Sequence, residues 1–118
     1  MLPPQHRMRR SEEFTDAVRG GARSGTRRLV VHLGASGSAA GATPPRAGLV
    51  VSKAVGNAVE RNQVKRRLRG LLAPRMSDLH DGDSIVVRAL PAARGASSAE
   101  LGEDLDVALR RARRRAQR

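Results

Sequence analysis

The chain has 118 residues and carries 23 Lys and Arg against 11 Asp and Glu, a formal net charge of +12. That length suits one domain around one core, so residues 1–118 are expected to form a single domain. So large a positive charge repels itself in the compact state and calls for a polyanion. Nucleic acid is the first candidate, because each neutralised phosphate releases condensed counterions, and acidic lipid is the weaker one. With no Cys, disulfides and thiolate zinc sites are excluded, and His6, His32 and His80 show no ligand spacing, so no protein-bound metal or cofactor is expected. The sequence has neither an apolar run of about 18 residues nor a secretory leader pattern, which predicts a cytoplasmic protein without a membrane partner.

Ser11 followed by Glu12 and Glu13 reads as the start of a short helix that places Phe14, Ala17 and Val18 on one face and stops at Gly20-Gly21. Two β-branched runs, 27–33 and 46–52, read as strands, and a weaker strand could precede residue 27. Between the two runs, 34–45 (GASGSAAGATPP) has nothing to bury and reads as a flexible loop. From Asn57 to Leu72 the period changes: Val64, Leu68, Leu71 and Leu72 share one arc of a helix that Pro74 is expected to end. A turn at 81–83 leads to a strand over 84–90. Ser97 and Glu100 form a capping box for a last helix with an apolar stripe at Leu101, Leu105, Ala108, Leu109 and Ala112. The final residues, 110–118, read as a basic tail. These elements predict an α+β sandwich with about four strands and three helices. The helix between the second and third confident strands implies a parallel crossover, right-handed by default.

The chemistry concentrates on the central helix. Across 53–69 there are six cations, and Glu60 is the single acid. Arg61, Asn62, Lys65, Arg66 and Arg69 border the apolar stripe, so one side packs while the other presents cations and amides to phosphates. Asn57 adds an amide, Gly56 would let backbone approach a ligand, and the helix N-terminus is itself an anion site. Phe14 is the only aromatic residue, so stacking single-stranded RNA on aromatic rings is nearly unavailable. No Cys, no His beside a nucleophile and no spaced carboxylate pair speak for hydrolysis by the protein itself.

The run Val51-Ser-Lys-Ala-Val-Gly-Asn-Ala-Val-Glu-Arg-Asn-Gln-Val-Lys-Arg-Arg-Leu-Arg69 resembles the signature of the bacterial ribonuclease P protein component. Arg7-Met-Arg-Arg-Ser-Glu-Glu-Phe14 and Asp83-Ser-Ile-Val-Val-Arg-Ala-Leu-Pro91 extend the likeness over about residues 5–92. The resemblance implies a division of labour. A large catalytic RNA holds Mg²⁺ and removes the 5′ leader of precursor tRNA, while one protein per RNA binds that RNA and the leader. It implies contacts to the catalytic RNA from Asn57, Arg61, Asn62, Lys65, Arg66 and Arg69. Contacts to the leader would come from Phe14, His32, Ser52, Lys53 and Arg88, in a cleft between the first helix and the sheet. It also implies a left-handed crossover, against the default. Five positions depart from the family pattern: Gln63 and Ala54 replace basic residues, and Val18, Leu29 and His32 stand where aromatics are common. A small ribosomal or ribosome-associated protein would share the charge and size but has no need of a leader groove. A nucleoid-type DNA binder would want a recognition helix or a dimer surface.

Overall fold

The computed structural model describes residues 22–35, 44–80 and 82–116. The helix expected around Phe14, and most of the 34–45 loop, lie outside them. Four strands form one sheet: β1 (Ala22–Gly25), β2 (Leu29–Ala35), β3 (Arg46–Val50) and β4 (Asp83–Ala89), in the order β1-β2-β4-β3. β1 and β2 pair antiparallel, as do β2 and β4, whereas β3 and β4 run parallel. Helix α1 (Ala58–Arg75) makes the connection between the parallel pair, and α2 (Ser98–Ala116) follows β4. The fold is thus α+β, with two helices among the described residues.

Side chains alternate across the sheet. Leu29, Val31 and Leu33 of β2, Ile85, Val87 and Ala89 of β4 and Ala47 of β3 turn to one face. There they join Val64, Leu68 and Leu72 of α1 and Leu101, Leu105, Ala108, Leu109 and Ala112 of α2 in a single buried cluster. The helical stripes read from the sequence are therefore the faces that pack. Arg67 of α1 reaches the Ala96 carbonyl just before α2, Arg75 meets Asp106, and Arg113 meets the Asp78 carbonyl. These pairs ascend together, so the two helices run side by side in the same direction. Gly102 permits their close approach, since a Cβ there would sit 3.3 Å from Leu71.

Several boundaries differ from the sequence reading: β3, expected over 46–52, ends at Val50, and β4 runs one residue earlier than 84–90. β2 starts at Leu29 rather than at 27, because the Thr26 hydroxyl accepts from the Leu29 amide and Thr26 N–H bonds the Leu29 carbonyl, closing a turn over Arg27 and Arg28. Pro74 lies inside α1 instead of ending it. In the last turn a proline forfeits one bond only, to the carbonyl of Gly70, which is exposed to water, and Arg75 ties the turn by donating to the Leu71 carbonyl at 2.7 Å. Arg110 to Arg115, expected in a tail, belong to α2. The capping box of α2 forms as expected, with Ser97 and Glu100 exchanging bonds at 3.1 Å each.

Candidate nucleic-acid interface

Two cationic surfaces lie on opposite faces of the sheet. The first is the outer arc of α1. At about 100° per residue, Lys65, Arg69, Asn62 and Arg66 fall on one arc of about 100°, next to the buried stripe. Arg61 lies closer to the stripe itself. It is half-buried, and its Nε is enclosed without a hydrogen-bond partner among the described residues. None of the four cations Arg61, Lys65, Arg66 and Arg69 makes an ion pair with a described residue. Arg61 and Lys65, Lys65 and Arg69, and Arg66 and Arg69 are spaced three or four residues apart. Each such like-charge pair costs a helix about 0.2–0.5 kcal/mol. The fold does not need this face; a bound anion would relieve it.

The other cations near α1 are structural, which charge counting could not show. Arg67 donates to the Ala96 carbonyl at 2.5 Å. Arg75 grips both oxygens of Asp106 at 2.7 and 3.0 Å, which raises the arginine's pKa and lowers that of the carboxyl. Glu60 faces the α2 side, 3.6 Å from Arg94.

The start of α1 is organised differently from the expectation of an open anion site. Asn57 Oδ1 accepts from Glu60 N–H at 2.8 Å, and Glu60 Oε1 accepts from Asn57 N–H at 3.0 Å. This capping box takes two of the free donors and installs a carboxylate where an anion would sit. Gly56 has an intramolecular reason too: a Cβ there would lie 2.6 Å from Glu60 Oε1. The spacing Asn57-x-x-Glu60 is itself the sequence signature of this cap. The Asn57 side-chain N–H₂ is the part of this residue left for a ligand.

The second surface is the sheet face turned away from the helices. Arg23, Val30, His32, Val50, Val86, Arg88 and Leu90 line a groove there. Strand register assembles it: Arg23, His32 and Val86 form one cross-strand row, and Val30, Arg88 and Val50 form the next. Neighbouring strands stand about 4.8 Å apart, so His32 has Arg23 beside it and Arg88 on the diagonal. Burial, then Arg23, then Arg88 hold the His32 imidazole below its ordinary pKa, and its Nδ1 has no partner among the described residues. Arg23 belongs to this groove and escaped the sequence reading because its strand was barely recognisable.

Ser52 and Lys53 are exposed in a turn closed by Val55 N–H to the Ser52 carbonyl at 3.1 Å. Buried Val51 and Val55 pin that turn to the core, just past Val50, the register partner of Arg88. The structure therefore brings His32 and Arg88 together and places Ser52 and Lys53 at the end of the same groove. Phe14 lies outside the described residues.

The family model for Ribonuclease P matches residues 2–113. The chain belongs to the ribonuclease P protein family. It is 57% identical over 116 residues to the ribonuclease P protein component of Streptomyces bikiniensis, with 94% of each chain covered. It is 48% identical to that of Mycobacterium sp. (strain KMS), covering 98% of this chain and 96% of the relative. Among solved structures, a Staphylococcus aureus RNase P protein mutant with defective mRNA degradation activity superposes with a TM-score of 0.80 at 27% identity, over 92% of this chain and 88% of that one. The Thermotoga maritima RNase P protein shares the fold, with a TM-score of 0.71 at 23% identity, over 88% of this chain and 96% of that one. Membership makes the chain an RNA-binding protein of tRNA processing and a partner of ribonuclease P RNA. Among the described residues, no helix is long and apolar enough to cross a membrane.

Proposed function

We propose that this protein docks on the catalytic RNA of ribonuclease P through α1 while holding the 5′ leader of precursor tRNA in the groove across the sheet. Asn57, Arg61, Asn62, Lys65, Arg66 and Arg69 meet the catalytic RNA. His32, Ser52, Lys53 and Arg88 meet the leader, joined by Arg23 and, from the N-terminal segment, Phe14. The observation that carries this reading is the placement of two unneutralised cationic surfaces on opposite faces of one sheet, so that two RNA strands can be held at once without competing for the same side chains.

The chemistry belongs to the RNA, which supplies Mg²⁺ and the hydrolytic step; the protein supplies position and charge. With Phe14 as the sole aromatic, the groove holds a strand by guanidinium and ammonium contacts to phosphate over an apolar floor of Val30, Val50 and Val86. Binding of the leader at fixed distance from the catalytic RNA converts substrate capture into an intramolecular event, which raises the local concentration of the scissile bond at the RNA centre. The reading includes a third helix near Phe14 forming the far wall of the groove, a left-handed β3-α1-β4 crossover, one protein per RNA, and action in the bacterial cytoplasm.

The test is reconstitution. Protein added to ribonuclease P RNA at low Mg²⁺ restores release of the leader, while rigorously RNA-free protein does none. Arg66→Ala makes the dependence of RNA affinity on salt shallower by about 0.7–0.9 units on a log–log plot, the share of one phosphate contact. Failure to stimulate the RNA would overturn the reading.

A further inference from the structure

The arginines in the C-terminal half of α2 divide into two groups. Arg113 donates to the Asp78 carbonyl at 2.6 Å and Arg115 donates to the Arg23 carbonyl, so these two fasten the helix end to the fold. Arg110, Arg111 and Arg114 are exposed and make no ion pair or side-chain hydrogen bond with a described residue. On a helical wheel, Arg110 and Arg114 lie opposite buried Leu105, Ala108, Leu109 and Ala112, with Arg111 beside them.

Ordinary reasons cover these residues only in part. The helix dipole favours cations within the last turn, which accounts for Arg114 but not for Arg110 and Arg111. Intrahelical pairing reaches Arg110 alone, whose charge Asp106 feels from one turn away, after that of Arg75. Asp106, one turn before Arg110, is gripped by Arg75, and Glu100 and Asp104 are bonded to Arg28 at 2.7 and 3.3 Å. Glu103 is the one acid of α2 without a partner among the described residues, and it sits two turns, about 10 Å, before Arg110. Meanwhile Arg110 and Arg114, and Arg111 and Arg114, repel each other at helical spacing. Three guanidinium groups on the outward side of a helix, with Asp106 as the one acid a turn away and already bonded to Arg75, are a surface for phosphates.

We propose that Arg110, Arg111 and Arg114 form a second docking patch for ribonuclease P RNA, separate from the α1 arc. This rests on the ribonuclease P reading above. The RNA, rather than the leader, is the ligand because α1 and α2 lie in one layer on the same face of the sheet, whereas the groove opens on the other. The Arg75–Asp106 pair and the Arg67–Ala96 bond lock the helices together, so the two patches keep a fixed separation. An RNA with phosphates at that separation binds both without an ordering cost, and one that lacks them gains only one.

The experiment measures binding of the full chain to ribonuclease P RNA and, separately, to leader-bearing tRNA, across salt concentrations. The variants are Arg110→Gln/Arg111→Gln/Arg114→Gln, the same three positions as Lys, and Arg66→Ala. Losing three contacts makes the log–log slope shallower by about 2.1–2.7 units, so raising salt fourfold costs the Gln variant roughly twenty- to fortyfold less affinity than it costs the parent. The Lys variant keeps most of the slope, and the urea midpoints of both match the parent. A Gln variant with the parental slope, while Arg66→Ala becomes shallower, overturns the patch and leaves the α1 reading standing. Unchanged slopes for both overturn the α1 reading too. Loss of affinity for leader-bearing tRNA but not for ribonuclease P RNA assigns the patch to the other RNA and overturns the proposal as stated.

Discussion

Arg88→Ala tests the groove. Arg88 is exposed near the C-terminal end of β4, with Val30 and Val50 as its row neighbours and no acidic partner among the described residues. Its charge is therefore fully available to a phosphate. A hydrogen bond to a charged group contributes about 1.5–3 kcal/mol net, and the lower end applies because the site is open to water and Arg23 stands two strands away. Affinity for precursor tRNA with a long leader should then fall about tenfold, and the salt slope should become shallower by about 0.7 units, the value for a single strand. Affinity for leaderless tRNA and for ribonuclease P RNA alone should not change. Arg88→Lys should recover the slope but only part of the affinity, because an ammonium cannot bond two phosphate oxygens in the guanidinium's planar fork. The assay is equilibrium binding of the holoenzyme to tRNAs with long, short and absent leaders, with Lys53→Ala measured in parallel. Equal losses on leaderless and long-leader tRNA would refute the groove and leave Arg88 and Lys53 as sources of general attraction.

Other expectations concern stability and the cap. Asn57→Asp keeps the α1 cap, so the urea midpoint should hold, while the lost side-chain N–H₂ and added charge weaken RNA binding; a matching loss for Asn57→Ala in both measurements would leave the residue a cap only. Arg75→Lys cannot span both oxygens of Asp106 and should cost about 1 kcal/mol in urea unfolding, whereas Arg66→Lys on the exposed arc should cost none and retain most RNA affinity. On acidification, His32, whose folded pKa is lowered, takes up its proton more readily in the unfolded chain, so stability should decline as pH falls through 6.5 toward the folded value, and His32→Gln should flatten that limb. Asp106 and Glu100, also lowered in the fold, hold stability that is present above their unfolded values and lost as pH falls through the folded ones, giving a second decline in the acid range, visible in urea midpoints from pH 2 to 8.

The parts legible in the sequence are those where local pattern and burial agree. Val64, Leu68 and Leu72 repeat at helical spacing and are the buried stripe of α1; Ile85-Val86-Val87 is an uninterrupted apolar run and lies in the central strand β4, where all three are buried. β1 was nearly invisible because Ala22-Arg-Ser-Gly has little strand propensity; pairing with β2, not its own residues, makes it a strand. With β1 went Arg23 and one wall of the groove. The position of β4 between β2 and β3 was also beyond reach, since strand order depends on which edge the crossover returns to. Lys65, Arg66 and Arg69 lie on one arc, as their spacing predicts, whereas Arg61, expected on the same arc, is half-buried beside the stripe, the place the helical wheel gives it.

The hardest distinction was between arginines that hold the fold and arginines that await a ligand, because the partners that settle it are remote in sequence. Arg28 meets acids 72 and 76 residues away, Arg75 one 31 residues away, and Arg67 a carbonyl 29 residues away. These contacts engage three of the four acids of α2, Glu100, Asp104 and Asp106, along the seam between helices and beside the β1–β2 turn. The same acids are thereby withdrawn from the outer surfaces, and the excess charge is concentrated where RNA can reach it. Neutralisation at the seam and its absence outside are one arrangement: the chain spends few carboxylates, places them where rigid geometry is needed, and leaves the remaining repulsion to be relieved by phosphate. Such a protein gains stability from its partner by mass action, since RNA that binds only the folded form adds RT ln(1 + [RNA]/Kd) to the free energy of unfolding. The same unneutralised cations that make the free chain less stable thus tie its folding to assembly with RNA.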